Sequence, residues 1–510
     1  MTGNEWLAIA PFLVMVGLAI LTVVIDIIWP HHDELVGTVA VLGVVGAMTL
    51  TTLAGPLPGP LGVLPQGGQE VFGGVYVRDG LTSFLDLIFM SIALLTLLFA
   101  PDYLRPRGLP MAEFSATLLF AISGAMLLGA ARDLLILFLG LELMVLPGYM
   151  LAGYAKRDGL STEGAIKYFL LGSFSSAIFL FGLAFTFGYL GTTRIAEIGK
   201  ALATYAAGEQ VGHTLPAALA MGLAFLTTGV AFKIAAVPFH YWTPDAYQGS
   251  PTPVTGYLSV GPKVGAFALI LRLFVEALAP LRGDWVIAIG VLAALTMTLG
   301  NLSALGQDNV KRMLAYSSIA HTGYILLGLA VYAGSSDPHV QQTGLQAVLF
   351  YSATYAFMNL GAFACVAALQ RRPGVTSQIA SFAGLGRRAP LLGALMTLFL
   401  LSLTGIPPTA GFFGKALILL SAVQAGGWLA VLAVVMMLNA AAAAFYYLRI
   451  VVFMYMREAP ANAREITVGT FTRIGLGIAA VATIAIGLVP PVTTVVYDAA
   501  LKAAAALIGA

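Results

Sequence analysis

Apolar runs long enough to cross a lipid bilayer recur along almost the whole chain. A helix rises about 1.5 Å per residue, so about 20 apolar residues cross a hydrocarbon layer about 30 Å thick. Such runs lie at 6–29, 34–54, 80–100, 110–130, 133–153, 163–190, 214–237, 252–278, 285–304, 312–333, 342–369, 390–423, 427–453 and 468–489. They predict an all-α polytopic membrane protein with about 14 transmembrane helices and an apolar tail that reaches Ala510.

The composition agrees with a chain whose solvent is lipid. Of the 510 residues, 59% are hydrophobic and 9% are charged, whereas about 25% are charged in soluble domains. The first run follows Glu5 instead of a basic segment and is longer than the apolar core of a signal peptide. We therefore expect it to be retained as a helix.

Several kinds of cofactor site are excluded by the motifs that the chain lacks. Cys365 is the only cysteine, so no disulfide and no cysteine-ligated iron–sulfur cluster can form within the chain. The six histidines show no HExxH spacing, and no glycine-rich nucleotide-binding motif is present. We predict that this chain binds no metal or cofactor itself. A net charge of +2 without a basic tract also argues against nucleic acid as a partner.

Basic residues in the predicted loops fall mainly on one side of the membrane. When loops are numbered alternately, one side carries Arg105, Arg107, Lys156, Arg157, Lys311, Arg312, Arg371, Arg372, Arg387, Arg388, Arg449, Arg457 and Arg464. The other side carries Arg78, Arg132, Arg194, Lys200, Arg282 and Lys502. The positive-inside bias makes the first side cytoplasmic. It predicts a multi-pass protein of the cell (inner) membrane with both termini on the non-cytoplasmic side.

A lysine stands at the end of the seventh run, in TTGVAFKIAAVPFHYWTPDAYQG, and Pro238 interrupts the helix shortly after it. Placing a lysine at membrane depth costs roughly 2.5–3.5 kcal/mol on insertion scales. A helix break frees backbone groups that hydrocarbon cannot satisfy, so such breaks line wet or protein-lined interiors. Lys233 and the break beside it therefore indicate a path for ions.

Ionisable groups deep in the predicted spans form a short set. They are Glu142, Lys167, Lys233, His240, Lys263, His321 and Lys415. We interpret them as a proton path; the alternative is a structural ion pair, such as Glu142 with Lys233, that locks helices together. Seven groups spread over the middle helices exceed what one pair needs. A second set near span ends is interpreted as interfacial or snorkelling residues: Asp26, Asp86, Glu113 and Arg272.

A second break, in LTGIPPTAGFFGK, places Pro407 and Pro408 before Lys415. It falls in the twelfth span and the first break in the seventh, so corresponding helices run in opposite directions. This offset predicts two inverted five-helix repeats, helices 4–8 and 9–13, each containing a broken helix. We divide the chain into N-terminal helices 1–3 (1–109), the first repeat (110–280), the second repeat (281–456), and helix 14 with the tail (457–510).

Five strings resemble the antiporter-like membrane subunits of respiratory complex I, the proton-translocating NADH-quinone oxidoreductase. They are ELMVLPGYMLAGYAKRD, STEGAIKYFLLGSFSSAIFLFG, AVPFHYWTPDAYQGSPTPVTGYLSVGPK, QDNVKRMLAYSSIAHTGY and LTGIPPTAGFFGK. The resemblance covers roughly residues 110–455, and the PFHxWxPDxYxG pattern is highly specific. Within that family, ELxxLPxYxLxGY and KYFLLGSxSS resemble subunit N, the counterpart of mitochondrial NADH dehydrogenase subunit 2, more than subunits L and M.

The resemblance implies a role for each deep group. Glu142 corresponds to the helix-five glutamate, Lys233 to the lysine of the first broken helix, Lys263 to the connecting lysine, and Lys415 to the lysine of the second broken helix. His240 and His321 would line the same hydrophilic axis, with Lys167 in support.

The resemblance also implies that this chain is a translocase subunit without its own redox centre. NADH, FMN, iron–sulfur clusters and quinone would be bound by partner subunits. The direct partners would be the antiporter-like subunit M and small membrane subunits such as K.

Three alternatives stay open at this point. The chain could belong to a multi-subunit Mrp-type cation/proton antiporter, which shares the helix pattern and the lysine and glutamate placements. It could be a free-standing transporter of a small anion, although its deep charges are spread over several helices. It could also be a membrane scaffold whose buried charges only hold helices together.

Overall fold

The computed structural model describes residues 3–30, 32–55, 68–208, 215–459 and 466–508. Ala510, Arg464, His31 and His213 lie outside these ranges. The first half contains α1 (Gly3–Ile28), α2 (Asp33–Ala54), β1 (Gln69–Val71), β2 (Tyr76–Arg78), α3 (Gly80–Leu104), α4 (Met111–Ala130), α5 (Leu134–Ala152), α6 (Gly159–Leu190), α7 (Ile195–Gly208), α8 (Ala217–Lys233), α9 (Trp242–Gly249) and α10 (Thr252–Ile270).

The second half begins after α10, which continues as a π-helical segment, Leu271–Ala277. It contains α11 (Arg282–Leu305), α12 (Val310–Gly334), α13 (Pro338–Leu369), α14 (Leu385–Arg388), α15 (Pro390–Thr404), α16 (Ala410–Ala425), α17 (Gly427–Met456), α18 (Thr470–Leu488) and α19 (Pro490–Ile508). The two predicted breaks are both present, between α8 and α9 and between α15 and α16.

Several helices begin at an Asp or Asn whose side chain caps the first turn. Asp133, Asp158 and Asp337 each accept a hydrogen bond from the backbone N–H two residues later, and Asn309 accepts one from Arg312 N. An N-cap oxygen satisfies one of the backbone donors that a helix leaves free at its start. These residues, at the ends of the apolar runs, fix where α5, α6, α12 and α13 begin.

Three helices form the centre of the bundle. In the apolar windows of α10, α12 and α13, 100%, 94% and 94% of residues are buried within the chain, compared with 28% in α17. The central helices contact one another and α3, α4 and α16. Charged or polar groups on α10, α12 and α13 are thereby kept away from lipid.

The described residues contain 13 helices that are long and apolar enough to cross a membrane. Among these, α19 packs at the start of α3, where Lys502 lies against Gly80. The Tyr497 carbonyl on α19 also accepts a hydrogen bond from Gln346 Nε2 on α13 at 3.0 Å. Twelve of the 13 coincide with predicted spans, the two broken helices correspond to the other two, and α19 is the apolar tail. The prediction of about 14 membrane helices with two broken ones is confirmed.

Two elements depart from the expected all-α pattern of spans. The antiparallel hairpin β1–β2, with Gln69 opposite Arg78, lies before α3. The helix α7 lies between α6 and α8 and buries Ile195, Ile198 and Leu202 along one face. Neither element spans a membrane, and both were missed because each is short and mixed in composition.

The interpretation of Asp86 and Arg272 as snorkelling residues is wrong. Their exposed fractions are 1% and 0%. Asp86 pairs with Arg78, and Arg272 pairs with Asp79 at 2.8 Å and with Glu276 at 2.5 Å. A buried charge is tolerated when it is paired and hydrogen-bonded, and helix packing around α3 supplies those partners.

Candidate functional site

Lys233 is the last residue of α8 and is 5% exposed. Its Nζ donates to Ser176 Oγ at 2.9 Å, to the Gly172 carbonyl at 3.3 Å and to Tyr149 Oη at 3.4 Å. A Cβ on Gly172 would lie 2.2 Å from the Tyr149 hydroxyl, so only glycine lets Tyr149 approach this closely. Neutral oxygens from α5 and α6 therefore hold the lysine.

The break after Lys233 is supported by polar groups from other helices. The Val237 N–H donates to Thr296 Oγ1 on α11 at 3.0 Å, and Trp242 Nε1 donates to the Phe232 carbonyl at 3.3 Å. Backbone groups freed by a break at membrane depth need protein or water partners. The sequence thus provides a stable non-helical segment beside Lys233.

Glu142 lies on α5, two turns before Tyr149 on the same helix. Its Oε1 is buried and has no hydrogen-bond partner in the described part of the chain. No ion pair within 4.0 Å joins Glu142 to Lys233. The direct locking pair considered as an alternative is therefore not formed in this structure.

Lys263 lies at the centre of the bundle on α10 and is 4% exposed. Its Nζ donates to Ser318 Oγ on α12 at 2.6 Å, and Ser318 Oγ donates in turn to the Ser259 carbonyl. Asn359 on α13 donates to Ser259 Oγ at 2.6 Å. Lys263 is thus held by a small polar cluster contributed by all three central helices.

His321, 1% exposed on α12, is surrounded by tyrosines. Nδ1 lies 2.5 Å from Tyr351 Oη on α13, and Nε2 lies 3.1 Å from Tyr447 Oη on α17. Tyr447 also shares a hydrogen bond with Ser317. Both ring nitrogens of His321 therefore have a hydroxyl partner.

Lys415 lies in α16, just after the second break, and is 8% exposed. Its Nζ donates to the carbonyls of Leu403 and Thr404 at 2.8 Å each, at the open end of α15. Gly405 follows with φ +90°, and a Cβ there would lie 2.9 Å from Lys415 Cδ. The cation occupies the negative end of a half-helix, as the helix dipole favours.

Two predicted residues are not brought into this set. Lys167 is 42% exposed and forms ion pairs with Glu163 at 2.6 Å and Asp245 at 2.7 Å. His240 lies in the first break, where its ring stacks on Tyr241, which is 73% exposed. Neither contacts Lys233, Lys263 or Lys415 through a hydrogen bond between described residues.

Several residues of the site were missed by sequence reasoning. They are Tyr149, Ser176, Ser318, Tyr351 and Tyr447. Serine and tyrosine are too common in membrane helices to mark a site by themselves. One feature of the sequence could have indicated them, namely the density of polar side chains in YSSIAHTGY on α12. That helix is almost completely buried within the bundle.

A buried ionic cluster at the start of α3 was also missed. Arg272 Nε donates to the Gly129 carbonyl at 2.8 Å, and Arg132 bridges Glu276 at 2.6 Å and Asp79 at 3.6 Å. Burial alone would raise the pKa of Asp79, but Arg272 and the Thr82 N–H outweigh it, so the pKa lies below its usual value. The cluster fixes the end of the helix that carries Lys263.

Comparison with known proteins gives consistent matches. Residues 131–439 match the family described as NADH:quinone oxidoreductase/Mrp antiporter, transmembrane. The chain is 41% identical over 486 residues to "NADH-quinone oxidoreductase subunit N" of Chloroflexus aggregans, covering 94% of each chain.

Two solved structures share the fold. A chain of respiratory complex I from Thermus thermophilus with bound aureothin has a TM-score of 0.74 and 31% identity, with 94% of this chain and 97% of that chain covered. A chain of the Mrp complex from Dietzia sp. has a TM-score of 0.77 at 22% identity, covering 100% and 98%. The second likeness concerns the fold alone.

Proposed function

Because the chain belongs to the family of NADH-quinone oxidoreductase subunit N, we propose that it moves protons across the membrane as a subunit of respiratory complex I. The observation that carries this proposal is the set of three lysines buried deep in the spans, Lys233, Lys263 and Lys415; the buried Lys311 lies apart from them, at the start of α12. All three are held by neutral oxygens of the described residues. A lysine held in this way can release its proton without leaving a buried carboxylate unpaired.

Glu142 is proposed as the group that biases the first lysine. Its unpartnered Oε1 lies on the same helix as Tyr149, which contacts Lys233. Movement of the carboxylate toward Lys233 would stabilise the ammonium, and movement away would favour release of the proton. Small displacements of α5 would then load and unload Lys233.

The site does not resemble a pocket for a larger solute. An apolar groove of about 620 Å³ lies between α8 and α11 and is lined by residues such as Leu223 and Trp285, and none of the three lysines lines it. Protons need only a chain of polar groups and water, whereas a small anion needs a cavity with converging donors. This favours proton transfer over transport of an anion.

The free energy would come from partner subunits. We propose that NADH, FMN, iron–sulfur clusters and quinone are bound there and that this chain contributes no redox centre. Each charge moved against a membrane potential costs about 2.3 kcal/mol per 100 mV. The antiporter-like subunit M and small subunits such as K are the proposed neighbours.

We propose the orientation from the loops that carry most of the basic residues. Residues 370–389 lie in the cytoplasm, and both termini lie outside. In a Cys365→Ser background, Thr376→Cys should react with a membrane-impermeant thiol reagent only after cells are permeabilised. Lys200→Cys, on the other side, should react in intact cells. The reverse pattern of labelling would reverse the orientation.

Replacement of Glu142 by alanine tests the proposed function. After assembly is confirmed by native gel, we expect Glu142→Ala to lower proton pumping in proteoliposomes several-fold. Glu113→Ala, an exposed glutamate on α4, is the matched control and should pump normally. Unchanged pumping by Glu142→Ala would refute its role.

Purification distinguishes a subunit of respiratory complex I from the alternative, a subunit of an Mrp-type antiporter. The tagged chain should be isolated with NADH:quinone reductase activity and with peripheral subunits identified by mass spectrometry. Isolation with other membrane subunits alone, together with cation/proton exchange, would favour the antiporter.

A further inference from the structure

The buried imidazole of His321 is bonded to a tyrosine hydroxyl through each of its two nitrogens. Tyr351 Oη lies 2.5 Å from Nδ1, and Tyr447 Oη lies 3.1 Å from Nε2. Ser317 extends this line through its hydrogen bond with Tyr447. The result is a continuous series of four groups, Ser317, Tyr447, His321 and Tyr351, contributed by α12, α13 and α17.

The series lies between two of the buried lysines. Ser317 precedes Ser318, which accepts a hydrogen bond from Lys263 at 2.6 Å. At the other end, the Tyr351 ring packs on the residue before Lys415: a Cβ on Gly414 would lie 2.2 Å from Tyr351 Cδ2. The series thus begins one residue from the partner of Lys263 and ends against the residue before Lys415.

Every member of the series can both donate and accept a hydrogen bond. A hydroxyl does so through its proton and its lone pairs, and a neutral imidazole has one nitrogen of each kind. We propose that Tyr351 and Tyr447 relay protons between Lys263 and Lys415 through His321, which changes tautomer in the process. The inference rests on the proposed function and adds two relay residues to it.

One passage can be written without any change in total charge or oxidation state. A proton arriving from the Lys263 side bonds to Ser317 Oγ, whose own proton moves to Tyr447 Oη. The Tyr447 proton then bonds to His321 Nε2, while the Nδ1–H bond breaks and its proton moves to Tyr351 Oη. The original Tyr351 proton leaves toward the Lys415 amine. One proton enters and one leaves, and reorientation of the ring and hydroxyls resets the series.

A neighbouring tyrosine provides a control that distinguishes a role in proton transfer from a role in packing around His321. Tyr324 also lies against the imidazole, with ring centroids 5.4 Å apart, but its hydroxyl accepts from Asn301 Nδ2 at 2.9 Å and does not bond to any member of the series. Tyr324→Phe is therefore a matched control, since it removes a hydroxyl from a ring beside His321 without interrupting the series.

The test uses the assembled complex in proteoliposomes and compares Tyr351→Phe, Tyr447→Phe, the double variant and Tyr324→Phe. Each relay variant should lower the protons pumped per quinone reduced at least twofold, with assembly unchanged by native gel. The double variant should be no worse than the worse single variant, because both hydroxyls serve one series; independent packing defects would add. Tyr324→Phe should pump as the wild type does.

Normal pumping in either relay variant, or an equal loss in Tyr324→Phe, would overturn the inference. Additive losses in the double variant would also overturn it. Lys263→Ala in the same assay distinguishes failure of the tyrosine relay from failure of the proposed function. Loss of pumping in Lys263→Ala with normal Tyr447→Phe rejects only the tyrosine relay, whereas normal pumping in Lys263→Ala rejects the proposed function itself.

Discussion

Three lysines deep in the spans are held by neutral oxygens, and each in a different way. Hydroxyls and one carbonyl surround Lys233, a serine hydroxyl accepts from Lys263, and two carbonyls at the end of α15 accept from Lys415. The lysines could be predicted because a cation at membrane depth is costly and therefore rare. Their partners could not, because Tyr149, Ser176 and Ser318 come from other helices and only packing brings them close.

A single substitution, Lys415→Arg, tests whether Lys415 acts through its positive charge or by releasing a proton. The guanidinium keeps the positive charge at the carbonyls of Leu403 and Thr404, so assembly should be retained. A guanidinium does not release its proton in the working pH range, so pumping should fall several-fold. Pumping in proteoliposomes checks this, with Lys200→Arg as a surface control. Wild-type pumping by Lys415→Arg would show that only the charge is needed.

The broken helices are the elements that the sequence predicts best. Proline removes a backbone donor, and glycine permits φ values that other residues avoid, so the breaks at Pro238 and at Pro407 and Pro408 could be located directly. The ionic cluster that anchors α10 could not be located. Asp79, Arg132 and Arg272 are distant in sequence, and their pairing depends on how α3, α4 and α10 pack.

The cluster predicts a large effect of Asp79→Ala on stability. Removal of Asp79 leaves Arg132 and Arg272 to share Glu276 as their one remaining carboxylate in the cluster, and breaking a buried pair costs up to about 3–5 kcal/mol. Because the pKa of Asp79 lies below its usual value, its contribution is complete above the usual carboxyl pKa and is lost as the pH falls through the lowered value. We expect a lower melting temperature in detergent at neutral pH and a smaller difference in acid.

Lys167→Ala is the control for that measurement. Its ion pairs with Glu163 and Asp245 are partly exposed, and exposed pairs contribute little because water screens them. Its melting temperature should match the wild type. Equal losses in Asp79→Ala and Lys167→Ala would show that burial of the cluster does not matter.

The whole molecule was predictable in outline. The number of apolar runs gave the number of crossings, since bilayer thickness sets the length of a span. The hairpin β1–β2 and the position of α19 were not predictable, because three-residue strands carry little pattern and the Tyr497 carbonyl finds Gln346 only in the folded chain. The centrally buried α10 contacts α8, which carries Lys233, and α12 and α13 contact α16, which carries Lys415.

Protons pumped per quinone reduced by an assembled complex carrying Lys233→Ala test the central claim most directly. Lys233 lies beside the first break and is held by Ser176, Gly172 and Tyr149, so its loss should interrupt transfer while the helices stay packed. The account predicts a ratio clearly below that of the wild type and of the surface control Lys200→Ala. A wild-type ratio in Lys233→Ala would contradict the claim that buried lysines carry the proton.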